Sequence, residues 1–122
     1  MTEAEFWNFL NEQRTAYPNK MYMAGVRIGA ITNSTAEDYL TGHALLPENY
    51  ERIPLTKIFE IGQLLFGKDV SNRTKEAILI LLAHIPNKIA LSILTKYCNN
   101  PDKELQIFAE MALDECEYWN ED

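Results

Sequence analysis

The sequence predicts an all-α domain, and three observations carry that prediction. Apolar residues recur at every third or fourth position through most of the chain. Glycine and proline number only five each, too few for the tight turns of an all-β fold. No stretch alternates apolar and polar residues long enough to read as a strand.

The first helix is expected from about Glu3 to Tyr17. Thr2 and Glu5 have capping-box spacing, and Phe6, Phe9, Leu10 and Tyr17 form its apolar stripe before Pro18-Asn19 ends it. A weaker second helix spans Lys20 to Ile31, where Gly25 and Gly29 permit close approach of a neighbour. Ser34 and Glu37 repeat the capping-box spacing and open a short helix to about Gly42. His43 to Arg52 is ambiguous, with Pro47-Glu48-Asn49-Tyr50 able to start a single turn.

Pro54 suits the first turn of the next helix, whose Leu55, Ile58, Phe59, Ile61, Leu64 and Leu65 precede a stop at Gly67. Ser71 or Asn72 can cap its successor, which reads through Ala77, Ile78, Leu81, Leu82 and Ile85 to Pro86. Asn87 begins another, with Ile89, Ala90, Ile93, Leu94 and Tyr97 on one side. Asn99-Asn100-Pro101 breaks it. Asn100 can then cap, Pro101 can take the first helical position, and the last helix runs to about Trp119.

The 122 residues fit one domain, with 1–53 as N-terminal helices and 54–119 as two helix hairpins. Eighteen acidic against eleven basic side chains give a net charge of −7, spread along both halves. Such a chain repels phosphate backbones, so no nucleic-acid partner is expected. The amphipathic start does not read as a signal peptide, and the aliphatic run Ile78 to Ala83 is too short for a bilayer. A cytoplasmic protein without a membrane partner is expected. Cys98 and Cys116 sit in apolar helical patterns, where free thiols act as small hydrophobes, and no histidine at ligand spacing turns them into a zinc site.

Residues 72–85 and 103–116 superimpose at an offset of 31, which sets Ala77 over Phe108, Ile78 over Ala109 and Leu82 over Leu113. A two-helix period of this length marks a short α-solenoid. Ile93-Leu94, Asn99-Asn100-Pro101-Asp102, Glu104-Leu105-Gln106, Ala109 and Ala112-Leu113 together resemble the HEAT-like repeat over residues 54–119, best over 87–116. Gln106 stands where that family usually has an arginine, and Lys75 is its counterpart in the earlier pair. The resemblance implies an interaction module rather than a reaction.

No phosphate loop, paired-histidine motif or calcium loop is present, so no catalytic residue, metal or cofactor is expected. His84 reads as a helix-end histidine, and His43 as a helix stop with no nucleophile motif near it. On the last helix, Leu105, Phe108, Ala109, Ala112, Cys116 and Trp119 share a face expected to be core. Gln106, Glu110, Asp114 and Glu117 form an acidic stripe, and Ile107, Met111 and Tyr118 a smaller apolar strip beyond it.

The stripe is either a solvated face or a ridge that docks a basic protein with a hydrophobic anchor, as an immunity-type inhibitor would. A further reading sets Ile107, Met111 and Tyr118 against the N-terminal helices or a second copy of the chain. The alternative function is a small-ligand or enzymatic pocket between the N-terminal helices and the repeats, lined by Tyr22, Arg27, Tyr39, His43 and Tyr50.

Overall fold

The computed structural model describes residues 1–13, 39 and 53–121. These contain five α-helices: α1 (Glu3–Gln13), α2 (Leu55–Gln63), α3 (Asn72–Ala83), α4 (Lys88–Asn99) and α5 (Gln106–Trp119). Short 3-10 turns at Leu64–Phe66 and Lys103–Leu105 adjoin α2 and α5, and no strand occurs among the described residues. The class is all-α. The helices expected at Lys20–Ile31 and Ser34–Gly42, and the ambiguous stretch 43–52, lie outside the described residues apart from Tyr39.

Local chemistry starts the helices where the sequence places the caps. The Thr2 N–H donates to Glu5 Oε1 (2.8 Å) and the Glu5 N–H to Thr2 Oγ1 (3.1 Å), a complete capping box. Ser71 Oγ accepts from the Thr74 N–H (3.3 Å), and Asn87 Oδ1 from the Ala90 N–H (2.8 Å). Pro54 sits one position earlier than expected. It is extended, and its carbonyl accepts from Lys57 and Ile58.

The start of α5 also differs from expectation. Neither Asn100 nor Pro101 opens it; the turn Lys103–Leu105 comes first. The Asp102 carboxylate is engaged elsewhere, by Lys75 Nζ (2.8 Å) and the Tyr97 hydroxyl (2.5 Å), so it does not cap.

The core centres on α3. Every residue from Thr74 to Ala83 is buried, which makes α3 a helix covered on all sides. From one side comes α1, whose Phe6 and Leu10 are buried in the core cluster. Trp7 Nε1 donates to Thr74 Oγ1 (3.0 Å), and the Glu3 carboxylate accepts from the Ser71 N–H (3.2 Å), the Ser71 hydroxyl (2.9 Å) and the Thr74 hydroxyl. From the other sides come α2, α4 and α5.

Contacts between the hairpins α2/α3 and α4/α5 recur at one sequence separation, 31 residues. A Cβ on Gly62 would come within 2.6 Å of Ile93 Cδ1, and the Phe66 and Tyr97 rings lie 5.9 Å apart, edge to face. His84 Nε2 lies 2.8 Å from Glu115 Oε2, and Cys116 Sγ is 3.8 Å from the Ile85 carbonyl. The Lys75–Asp102 pair adds a polar tie from α3 to the turn before α5.

Four residues of the apolar helical patterns point outward, of which Trp119 was expected in the core. Leu55 and Phe59 on α2 and Ile89 on α4 lie at the edges of their helical stripes, beyond the line where the two helices meet. Trp119 falls one turn after Cys116, the last core residue of α5, and packs edge to face on Tyr118 (5.3 Å) rather than inward.

Candidate interaction surface

The geometry of α5 follows from its 100° step per residue. Leu105, Phe108, Ala109, Ala112 and Cys116 converge on the interior and are buried. Gln106, Glu110, Asp114 and Glu117 occupy the opposite arc and are all exposed. Beside the acids, Ile107 (54% exposed) and Tyr118 (65%) stand in solvent, while Met111 is half-buried and packs against the core. The exposed apolar strip is therefore Ile107, Tyr118 and Trp119, with Met111 as its root.

The three carboxylates act as a group. Among the described residues Glu110, Asp114 and Glu117 form no ion pair, and their combined field reaches Cys98 on α4. Burial pushes that thiol up to about 11, and Glu110, Asp114 and Glu117 add to the rise. Cys98 Sγ donates to the Ala109 carbonyl (3.3 Å), which fixes the acids along the α4 side of α5. Cys116, also raised to about 11 by burial, is the second free thiol. Neither thiol has the lowered pKa of a reactive cysteine.

Glu115, not singled out from the sequence, is the acid of α5 with a structural task. It accepts from the buried Tyr39 hydroxyl (2.5 Å) and approaches His84, whose Nδ1 lies 2.8 Å from the Ile80 carbonyl. The Tyr39 ring packs edge to face on Phe108 at 5.0 Å. Burial and Glu115 both raise the Tyr39 pKa, so it remains a neutral phenol. Of the residues proposed to line a ligand pocket, Tyr39 is thus buried in the interior, and Tyr22, Arg27, His43 and Tyr50 lie outside the described residues.

A groove of about 450 Å³ does open between α1 and α2, lined by residues that include Met1, Glu5, Phe9, Glu12, Lys57 and Glu60. Glu5 is engaged by Thr2, and Lys57 lies 3.5 Å from Glu60. Tyr39, the one described residue among those expected to line a pocket, does not border it.

A second exposed apolar feature runs along the seam of α2 and α4. Gly62 meets Ile93 there, and the residues just outside that contact are Leu55 (54% exposed), Phe59 (56%) and Phe66 on one side and Ile89 on the other. Lys96 extends across the seam with its ammonium 5.2 Å from the centre of the Phe66 ring. Lys88 is also exposed, and neither lysine has a carboxylate partner among the described residues. Periodicity placed Leu55, Phe59 and Ile89 on apolar stripes and did not mark Phe66, and a helical stripe does not show how wide the contact with the next helix is.

Among the described residues no cluster of histidine, cysteine or carboxylate side chains could hold a metal ion, and no helix is long and apolar enough to cross a membrane. Comparison with protein-family models, curated proteins and solved structures finds no significant match to this chain.

Proposed function

We propose that this chain is a small HEAT-like interaction module that binds a basic protein through α5, and that its role is docking rather than catalysis. The observation that carries the reading is the exposed row Glu110, Asp114 and Glu117, with no ion pair among the described residues, beside the exposed Ile107 and Tyr118. Carboxylates at the rim steer a basic surface into place, and aromatic and aliphatic anchors then hold it by excluding water. The repeat reading draws support from the contacts at a separation of 31 residues, which link first helix to first helix and second to second. Translation of one hairpin onto the next is the defining relation of a solenoid.

In its sharpest form the module is an inhibitor of the immunity type, in which the acidic row covers the basic substrate-binding face of a toxin such as a nuclease. Capture from the native cell tests the reading when wild-type chain and the variant E110K/D114K/E117K are used side by side. A basic protein retained at near-stoichiometric amount by the wild type, cross-linked to α5 and lost with the variant, is the expected result. Identical captures with both chains, or a clean monomer that carries a small metabolite, would overturn it.

A further inference from the structure

We infer that a second copy of this chain docks its α5 ridge onto the α2/α4 seam, so that the molecule associates head to tail. The inference rests on the reading of α5 as a docking ridge and gives that ridge a second occupant, matched to it by the local charge of the seam rather than by net charge, which is −7 for the chain.

Both halves of the contact are present on one chain. The ridge offers Glu110, Asp114 and Glu117 beside Ile107 and Tyr118. The seam offers Leu55, Phe59, Phe66 and Ile89, with Lys96 lying over Phe66 and the exposed Lys88 at the first position of α4. Among the described residues none of these charges forms an ion pair, whereas Lys57 pairs with Glu60, Arg73 with Glu76, Lys75 with Asp102 and His84 with Glu115.

Charge also selects the arrangement. Seam against seam about a two-fold axis would set lysines on lysines, and ridge against ridge would set carboxylates on carboxylates. Only seam against ridge brings unlike charges together over apolar anchors. Joined head to tail, each added copy leaves a free ridge at one end and a free seam at the other, so association continues past the dimer to rings or longer assemblies. A handful of partly exposed anchors falls at the small end of specific interfaces, which implies weak, concentration-dependent association.

Sedimentation velocity from about 10 µM to about 1 mM spans the affinities such a contact supports. The expected wild-type result is a weight-average mass that climbs from 14.1 kDa past the dimer as concentration rises. K88E/K96E and E110K/D114K/E117K should each raise the dissociation constant at least about tenfold, since like charges then face each other. An equimolar mixture of the two variants should regain association, because the unaltered ridge of the first meets the unaltered seam of the second. All five positions are exposed, and circular dichroism with thermal unfolding verifies that both variants fold.

A wild type that stays at 14.1 kDa throughout, variants that associate as the wild type does, or a mixture that stays monomeric would each overturn the inference. Capture of a basic protein by the wild-type ridge, with no self-association, would end this inference and leave the proposed function standing. Loss of both would end both.

Discussion

Lys75 carries its ammonium into the interior of the molecule, 5% exposed, with Asp102 as its ion-pair partner. Removing one member of such a pair strands the other, whereas replacing the buried charge by an apolar chain removes the cost with the contact. Asp102→Asn should therefore destabilise the fold by about 2 kcal/mol, less than the about 3–5 kcal/mol of a fully buried pair because Asp102 is 37% exposed. Lys75→Met should lose about 1 kcal/mol or less, with its long side chain still filling the same space. Urea unfolding of the two variants measures the difference, and equal losses would argue against a stranded charge. The sequence offered Lys75 only as a counterpart to the family's arginine. Its actual partner was not legible, because Asp102 reads locally as helix-start chemistry and only the packing of α3 against the turn before α5 brings the lysine to it. Glu115 was missed for the same reason: its partners lie 31 and 76 residues away.

At the scale of the element, the caps at Thr2, Ser71 and Asn87 were legible because each is settled within four residues. The outward placement of Leu55, Phe59 and Ile89 was not, since it depends on how closely α2 and α4 approach. Gly62 sets that distance. Alanine there gains about 1 kcal/mol of helix propensity over glycine, but its methyl would press on Ile93 Cδ1 at 2.6 Å and Cγ2 at 3.0 Å. Ile93 is itself buried and has little room to yield, so overpacking at about 1–3 kcal/mol wins and Gly62→Ala should destabilise. Ile93→Val removes the Cδ1 atom. In that background the loss from Gly62→Ala should shrink by about 1 kcal/mol, a coupling that a double-mutant cycle reads directly. Additive effects would mean that α2 and α4 do not meet at this point.

The whole molecule is organised around α3, which the sequence showed as an amphipathic helix and the fold buries on every side. Backbone amides of Ile78 to Leu82 should exchange with solvent only through global unfolding, more slowly than those on the exposed arc of α5. What holds other elements to this centre is in part carboxylate chemistry. Burial raises the pKa of Glu3, but hydrogen bonds from Thr74 and Ser71 outweigh it and leave Glu3 below its ordinary 4.5. For Asp102 burial is likewise outweighed, by Lys75 and Tyr97, and the group lies below its ordinary 3.8. Because both values are lower folded than unfolded, the unfolded chain binds more protons in acid. Their stabilisation is complete above the ordinary values and is lost as pH falls through the lower folded ones. The urea midpoint should thus hold from pH 7 to about 5 and fall below about 4.5, with a shallower fall in Glu3→Gln and Asp102→Asn. Trp7 reports the event at the α1 joint, since its indole N–H donates to the same Thr74 hydroxyl that meets Glu3. In a Trp119→Phe background, which removes the half-exposed indole of α5, emission should shift to the red as acid releases α1 from α3. A red shift that begins well above pH 5 would assign the release to groups other than these two carboxylates.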